Sequence, residues 1–157
     1  MTSKKTKEKP ILKFRKATER DMPALVEMGK KLWPYEKGSD LRRVLKKTLL
    51  KKNDDVLIVL DAKKAIAFAT LSLRKDYVEG SNSSPVAYVE GIFVEPKYRK
   101  HGVGKQIVIL AEEWGKSRGC SELGSDTESW NRGSQKFHES IGFKKAETIV
   151  HFIRKIA

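Results

Sequence analysis

The stretch that decides the fold runs Val86-Ala87-Tyr88-Val89-Glu90-Gly91-Ile92-Phe93-Val94, then Glu95-Pro96-Lys97-Tyr98, then Arg99-Lys100-His101-Gly102-Val103-Gly104-Lys105. The first part is apolar except for Glu90 and reads as a strand. Glu95 to Lys100 is a turn. From Gly102 to Arg118, Val103, Ile107, Leu110, Ala111 and Trp114 recur at helical spacing. The order is therefore strand, glycine-bearing turn, helix start. A helix start carries unpaired N–H groups and the positive end of the helix dipole. Gly102 and Gly104 have no side chain to keep an anion off the backbone, and Arg99, Lys100 and Lys105 add positive charge. The combination suits a pyrophosphate. It is neither the G-x-x-x-x-G-K-[ST] loop nor the G-x-G-x-x-G fingerprint, and two glycines alone also suit a plain tight turn.

Outward from this stretch the chain alternates helices and strands. Upstream, Ile11–Lys16 alternates as a half-buried strand. Thr18 and Asp21 offer a relative of the capping box to a helix carrying Leu25, Met28 and Leu32, which Pro34 ends. Asp40–Leu50 is a second helix. Val56–Leu60 and Ala65–Arg74 are strands joined by a hairpin-like turn at Asp61–Lys64, and Lys75–Pro85 is a polar loop. Downstream, Cys120–Asp126 is a short strand and Asn131–Ile141 a helix stopped by Gly142. Two terminal strands are expected near Phe143–Ala146 and Thr148–Lys155. This order predicts a mixed α/β sheet flanked by helices.

At 157 residues the chain suits one domain, here residues 11–157, behind a basic tail at residues 1–10 expected to be disordered. No apolar run approaches the about 20 residues of a membrane span, and the lysine-rich start has no apolar stretch behind it, so a cytoplasmic protein is expected. Cys120 is the one cysteine. With no base spaced to serve it, it reads as structural rather than nucleophilic. The three scattered histidines make no metal site. The net charge of +13 suits a polyanion, but the lysines are spread along the chain, and no helix-turn-helix, RRM or zinc pattern appears. Neither nucleic acid nor membrane is expected as a partner.

Two spaced motifs carry a resemblance. Arg99-x-x-Gly102-x-Gly104 after an apolar strand resembles the [RQ]-x-x-G-x-[GA] acetyl-CoA motif of the GNAT N-acetyltransferases. Asn131-x-x-Ser134-x-x-Phe137-His138-x-x-x-Gly142-Phe143 resembles that family's N-x-x-A-x-x-[LY]-Y-x-x-x-G-F helix. A narrower similarity, to the aminoglycoside 6′-N-acetyltransferases, is scattered from residue 32 to residue 143. It lies in Leu32-Trp33-Pro34, Asp76-Tyr77-Val78, Ser83-Ser84-Pro85, Glu90–Val94, Trp114-Gly115, Gly119-Cys120, Ser125-Asp126-Thr127 and Ser134-Gln135-Lys136.

The resemblance implies a GNAT fold: a mostly antiparallel sheet of six or seven strands, splayed at the strand containing Glu90, with about four helices. It implies acetyl-CoA as co-substrate, no metal, and an aminoglycoside 6′-amine as acceptor. Backbone at Ile92, Phe93 and Val94 would pair with pantetheine. Arg99, Lys100, His101, Gly102, Val103, Gly104 and Lys105 would hold the pyrophosphate, and Asn131 would face the thiol end. Trp33, Tyr77, Glu79, Glu90 and Asp126 would bind the acceptor, with Glu90 also taking its proton. His138 stands where many members carry a tyrosine that protonates the leaving thiolate, and imidazole ordinarily titrates near neutrality. Relatives are often dimers through terminal strands, so a homodimer is expected.

The residues alone leave alternatives open. An unpaired carboxylate in an apolar strand is costly, so Glu90 is either functional or paired with a nearby Lys or Arg. Asp126 also suits a turn or helix cap, Trp33 core packing, and His138 a helix position without chemistry. Other acceptors are a polyamine, an amino sugar or a protein lysine. Rivals of another class are a non-catalytic acyl-CoA sensor and a nucleic-acid module.

Overall fold

In the computed structural model residues 9–157 are described; the tail expected over residues 1–10 lies, apart from Lys9 and Pro10, outside them. The chain runs β1 (Leu12–Lys16), α1 (Met22–Leu32), α2 (Gly38–Leu50), β2 (Asp54–Asp61), β3 (Lys64–Arg74), β4 (Val86–Val94), α3 (Val103–Lys116), β5 (Leu123–Ser125) and α4 (Arg132–Ser140). Thr18 donates its N–H to the Asp21 carboxylate at 2.7 Å, so the expected capping residues do start the first helical segment. Asp21 also receives both arms of Arg15 at 2.8 Å, which ties β1 to the entry of α1.

The five strands lie in the order β1-β2-β3-β4-β5. The pairs β1–β2, β2–β3 and β3–β4 are antiparallel, and β4–β5 is parallel. Alternation along β2 and β3 divides the core into two layers. On one face Val59, Ala67, Ala69, Leu71 and Val89 pack under Val103, Ile107, Ala111 and Trp114 of α3. On the other, Val56, Ile58, Phe68 and Phe93 pack under Met22, Leu25 and Met28 of α1 and Leu45 of α2. This is why Val56–Leu60 of β2 reads as a continuous apolar run: both faces of that strand are covered.

The C-terminal region departs from expectation. Residues 143–157 form neither predicted strand, so among the described residues the sheet has five strands rather than six or seven. Ile149, Val150, Phe152, Ile153 and Ile156 stand 49–100% exposed. Alternation supplies side chains of the right kind, but a strand also needs a pairing partner, and among the described residues the arm pairs with none. β5 ends the sheet with its outer edge unpaired.

Candidate active site

The site is built around a bulge in β4. Thr70 of β3 pairs with Gly91 and Leu71 with Val89, which leaves Glu90 as an extra residue. A bulge of this kind bends the strand and re-aims its groups. Its effect on the backbone can be followed. Before it, Ala87 donates to Glu122 of the segment leading into β5. After it, Glu95 N–H bonds Ile66 O, so Phe93 and Gly91 turn their amides to β3, and Ile92 and Val94 turn theirs outward. β5 pairs only as far as Val89. Beyond Glu90 the sheet therefore parts, and the outward amides face an open edge. This is the splay expected at Glu90. It admits Ile92 and Val94 as edge groups but not Phe93, whose amide faces β3 and whose ring is buried.

Arg99 narrows the edge further. Its Nε donates to Val94 O at 2.8 Å, and its guanidinium lies 5.6 Å from the Phe93 ring. The free edge groups are thus the N–H and C=O of Ile92 and the N–H of Val94. The remaining guanidinium N–H groups of Arg99 stay available near the loop that follows. Lys100 and Gly102 adopt left-handed φ of 63° and 81°, and Gly102 is the N-cap of α3 with no side-chain partner on its first N–H groups. No atom lies within 4 Å of where a Cβ on Gly102 would sit. Lys100, His101 and Lys105 are exposed around it, while Val103 is buried and contributes only backbone.

Gly104 has a different reason to be glycine. A Cβ there would lie 2.7 Å from Cε2 and 2.8 Å from Cζ of Phe137. The residue lets α4 approach the start of α3, rather than clearing room for an anion. Asn131 is likewise engaged: its Oδ1 accepts the Ser134 N–H at 3.1 Å as the N-cap of α4, leaving its amide NH2 free.

On the sheet face that carries α1 and α2, beyond those helices, stands a charged cluster. Glu90 accepts Ser72 Oγ at 2.6 Å and both arms of Arg74, Nε at 2.9 Å and Nη2 at 2.7 Å. Arg74 stacks 3.4 Å over the Tyr88 ring and lies 3.9 Å from Asp126. The Tyr88 hydroxyl donates to Asp126 at 2.6 Å. Glu90 is therefore a paired carboxylate. Burial works against its ionisation, but the hydrogen bonds from Arg74 and Ser72 and the Arg74 charge outweigh it and hold the carboxyl below its ordinary range. Burial and the Asp126 carboxylate push the Tyr88 hydroxyl up, so it stays a donor. Two carboxylates against one guanidinium leave the cluster net negative on a chain of charge +13.

The remaining expected residues border this cluster unevenly. Trp33 packs edge-on against Phe68 at 5.9 Å between ring centres, and a Cβ on Gly91 would meet its ring at 2.4 Å. It is thus a half-buried residue at the margin of the core that also lies against the bulge. Tyr77 and Glu79 are exposed on the loop after β3. That loop is anchored by Val78 in a small cluster with Val86 and Tyr88, and by Glu122, which accepts Asn82 N–H at 2.8 Å and the Ser83 hydroxyl. His138 faces Ser125 at 2.8 Å. Cys120 is half-buried beside Gly115, and burial raises its thiol, as suits a structural residue. Among the described residues no His, Cys, Asp and Glu cluster suits a metal, and no helix is long and apolar enough to cross a membrane.

Sequence reasoning missed Arg74, Ser72 and Tyr88. Their signal was present: Thr70, Ser72 and Arg74 make a polar stripe at strand spacing, where an apolar strand has no other use for them.

Residues 22–143 match the profile described as "Acetyltransferase (GNAT) family". An aminoglycoside N(6′)-acetyltransferase type 1 of Serratia marcescens is 36% identical over 86% of this chain and 92% of its own. One of Salmonella typhimurium is 48% identical over 58% of this chain; the match spans 62% of that protein, under two thirds of its length. Among solved structures, aminoglycoside N-acetyltransferase AAC(6′)-Iy in complex with CoA superposes with a TM-score of 0.89 at 33% identity, covering 93% of this chain and 96% of that one. The same enzyme with the bisubstrate analogue CoA-S-monomethyl-acetylneamine gives 0.87 at 33% identity, covering 93% and 99%.

Proposed function

The chain belongs to the GNAT acetyltransferase family, and from that premise we propose that it transfers an acetyl group from acetyl-CoA to the 6′-amino group of aminoglycoside antibiotics. One observation carries the reading: at the Glu90 bulge a free amide edge, continuous with an uncapped helix start, adjoins a net-negative carboxylate cluster on a strongly basic protein. The edge and helix start fit a pantetheine diphosphate. The cluster fits a polycationic amine.

The roles follow from the groups left free. The N–H groups of Val103, Gly104 and Lys105, with Arg99, Lys100 and His101 beside them, hold the diphosphate. Ile92 N–H and C=O and Val94 N–H receive the pantetheine amides as an added strand. The Ile92 N–H, next to the bulge, also suits the carbonyl oxygen that gains charge as the amine attacks. The Asn131 amide NH2 supports the thiol end. Asp126, Glu90 and Glu79 draw the ammonium groups of the acceptor, and Trp33 and Tyr77 wall its rings.

Glu90 is ionised and clamped, which makes it a strong anchor and a weak base. It therefore orients the acceptor ammonium and the water that takes its proton, rather than removing that proton unaided. The free amine attacks the thioester, the C–N bond forms, and the C–S bond breaks. Acetylation removes one charge and one donor from the drug and weakens its hold on ribosomal RNA, which is resistance. The enzyme acts in the cytoplasm as a homodimer. The exposed apolar arm after α4 and the unpaired edge of β5 are complementary in kind, and a second copy would supply each with what it lacks.

A thiol-release assay tests the reading. Kanamycin or tobramycin with acetyl-CoA should release CoA many-fold faster than spermidine does. Equal or greater release with spermidine would move the function to polyamines.

A further inference from the structure

We propose that Ser125, backed by His138, delivers a proton to the sulfur that leaves in the acetyl transfer; the inference rests on the acetyltransferase reading above. It begins with a constrained imidazole. His138 lies in the last turn of α4, its ring set edge-on between Phe137 at 5.5 Å and Phe143 at 5.3 Å. Nδ1 lies 2.7 Å from the carbonyl oxygen of Ser134. A carbonyl only accepts, so Nδ1 carries a hydrogen and donates it. The exchangeable position of the ring is therefore Nε2, and Nε2 faces Ser125 Oγ at 2.8 Å.

Ser125 is the last residue of β5 and pairs with Val89, the last residue of β4 before Glu90. Its hydroxyl thus stands at the point where the sheet parts. Its other partner, Val89 O, is 3.3 Å away, a long bond that holds the hydroxyl hydrogen weakly. A hydroxyl with a tautomer-fixed imidazole behind it is the arrangement that passes a proton. Asp126, the next residue, already lies in the acceptor cluster, so Ser125 lies between that cluster and α4.

The step balances. As nitrogen bonds to the carbonyl carbon, the C–S electron pair goes to sulfur. The Ser125 O–H proton passes to sulfur while imidazolium Nε2–H passes its proton to Ser125 Oγ. His138 is left neutral with its hydrogen on Nδ1 and is recharged from water. The surplus proton on the new amide nitrogen leaves through the water at Glu90. Ser125 is the residue that touches the reacting sulfur, and His138 positions and recharges it.

Ser125→Ala and His138→Gln should each lower kcat about 10- to 100-fold, at the low end for a general acid because a thiolate leaves readily. KM for acetyl-CoA, its calorimetric affinity and Tm should stay close to wild type, and the double variant should be no slower than the slower single one. Nitrogen-15 spectra of the ring supply a readout besides turnover: the His138 Nε2 signal should move when CoA is added to wild type and stay still in Ser125→Ala. Wild-type turnover in Ser125→Ala, losses that multiply in the double variant, or an Nε2 signal blind to CoA would overturn the relay alone. A wild-type protein that neither binds acetyl-CoA nor releases thiol would remove the acetyltransferase reading, and the relay with it.

Discussion

Gly104→Ala separates two reasons for a glycine at the start of α3. The added Cβ would stand 2.7 and 2.8 Å from two atoms of the Phe137 ring. Carbon atoms pack at about 3.5 Å or more, so the ring or α4 must yield by roughly 0.7 Å. Overpacking of this size costs about 1–3 kcal/mol, and the better helix propensity of alanine returns at most about 1 kcal/mol. We expect a net loss of about 1–2 kcal/mol, a fall in Tm of roughly 2–8 °C for a chain of this size. Because the displaced α4 also carries the Asn131 cap, acetyl-CoA affinity should fall with stability. Combining Gly104→Ala with Phe137→Leu isolates the contact, since two clashing partners couple strongly. The pair should show about 1 kcal/mol or more of favourable coupling in urea unfolding, and calorimetry should show acetyl-CoA affinity returning with it. If Gly104→Ala is neutral or stabilising, the packing argument fails. If Phe137→Leu restores stability while acetyl-CoA affinity stays lost, the glycine serves the anion.

Further expectations concern the cluster, the arm and acid stability. Glu90→Gln keeps the shape but loses the charge held by Arg74 and Ser72; kcat/KM for tobramycin should fall about 10- to 100-fold while calorimetric acetyl-CoA affinity holds, and unchanged turnover would remove Glu90 from the acceptor site. Ile153→Asp on the fully exposed arm should convert dimer to monomer in sedimentation velocity, and a monomeric wild type would end the arm-exchange reading. Hydrogen bonds from Arg15 lower the Asp21 carboxyl from 3.8 to about 2, so this pair stabilises the fold above about pH 4 and its contribution fades as the pH falls toward 2. Asp21→Asn should accordingly cost about 1–2 kcal/mol at pH 7, allowing for solvent at Arg15, with the gap to wild type closing in denaturant melts between pH 4 and pH 2.

Much of this architecture was legible in the sequence because its signals are local. Strands that line a core are dominated by apolar residues, so Val56–Leu60, Ala65–Arg74 and Val86–Val94 were found to within two residues of their ends. Pro34 and Gly142 marked helix ends for reasons of backbone geometry. What was not legible depends on pairs. The bulge at Glu90 is a register mismatch between two strands, and no single strand states it. Arg74 became visible as the partner of Glu90 only when β3 and β4 stood side by side, although a nearby Lys or Arg was one of the two readings of a lone carboxylate in an apolar strand. Gly104 was read for what it leaves open, when its neighbour in space is Phe137, 33 positions on. The terminal strands were over-read for the same reason: alternation describes a side-chain pattern, whereas a strand also needs an edge.

The proposed site acetylates one particular amine. Purified protein should be given acetyl-CoA and, in parallel, tobramycin and an otherwise similar aminoglycoside that bears a hydroxyl at the 6′ position, with thiol release followed and the products examined by NMR. One equivalent of CoA should be released per tobramycin, with an acetyl group on the 6′ nitrogen and release with the 6′-hydroxyl compound slower by several orders of magnitude. Equal release from both compounds, or an acetyl group on another amine of tobramycin, would contradict it.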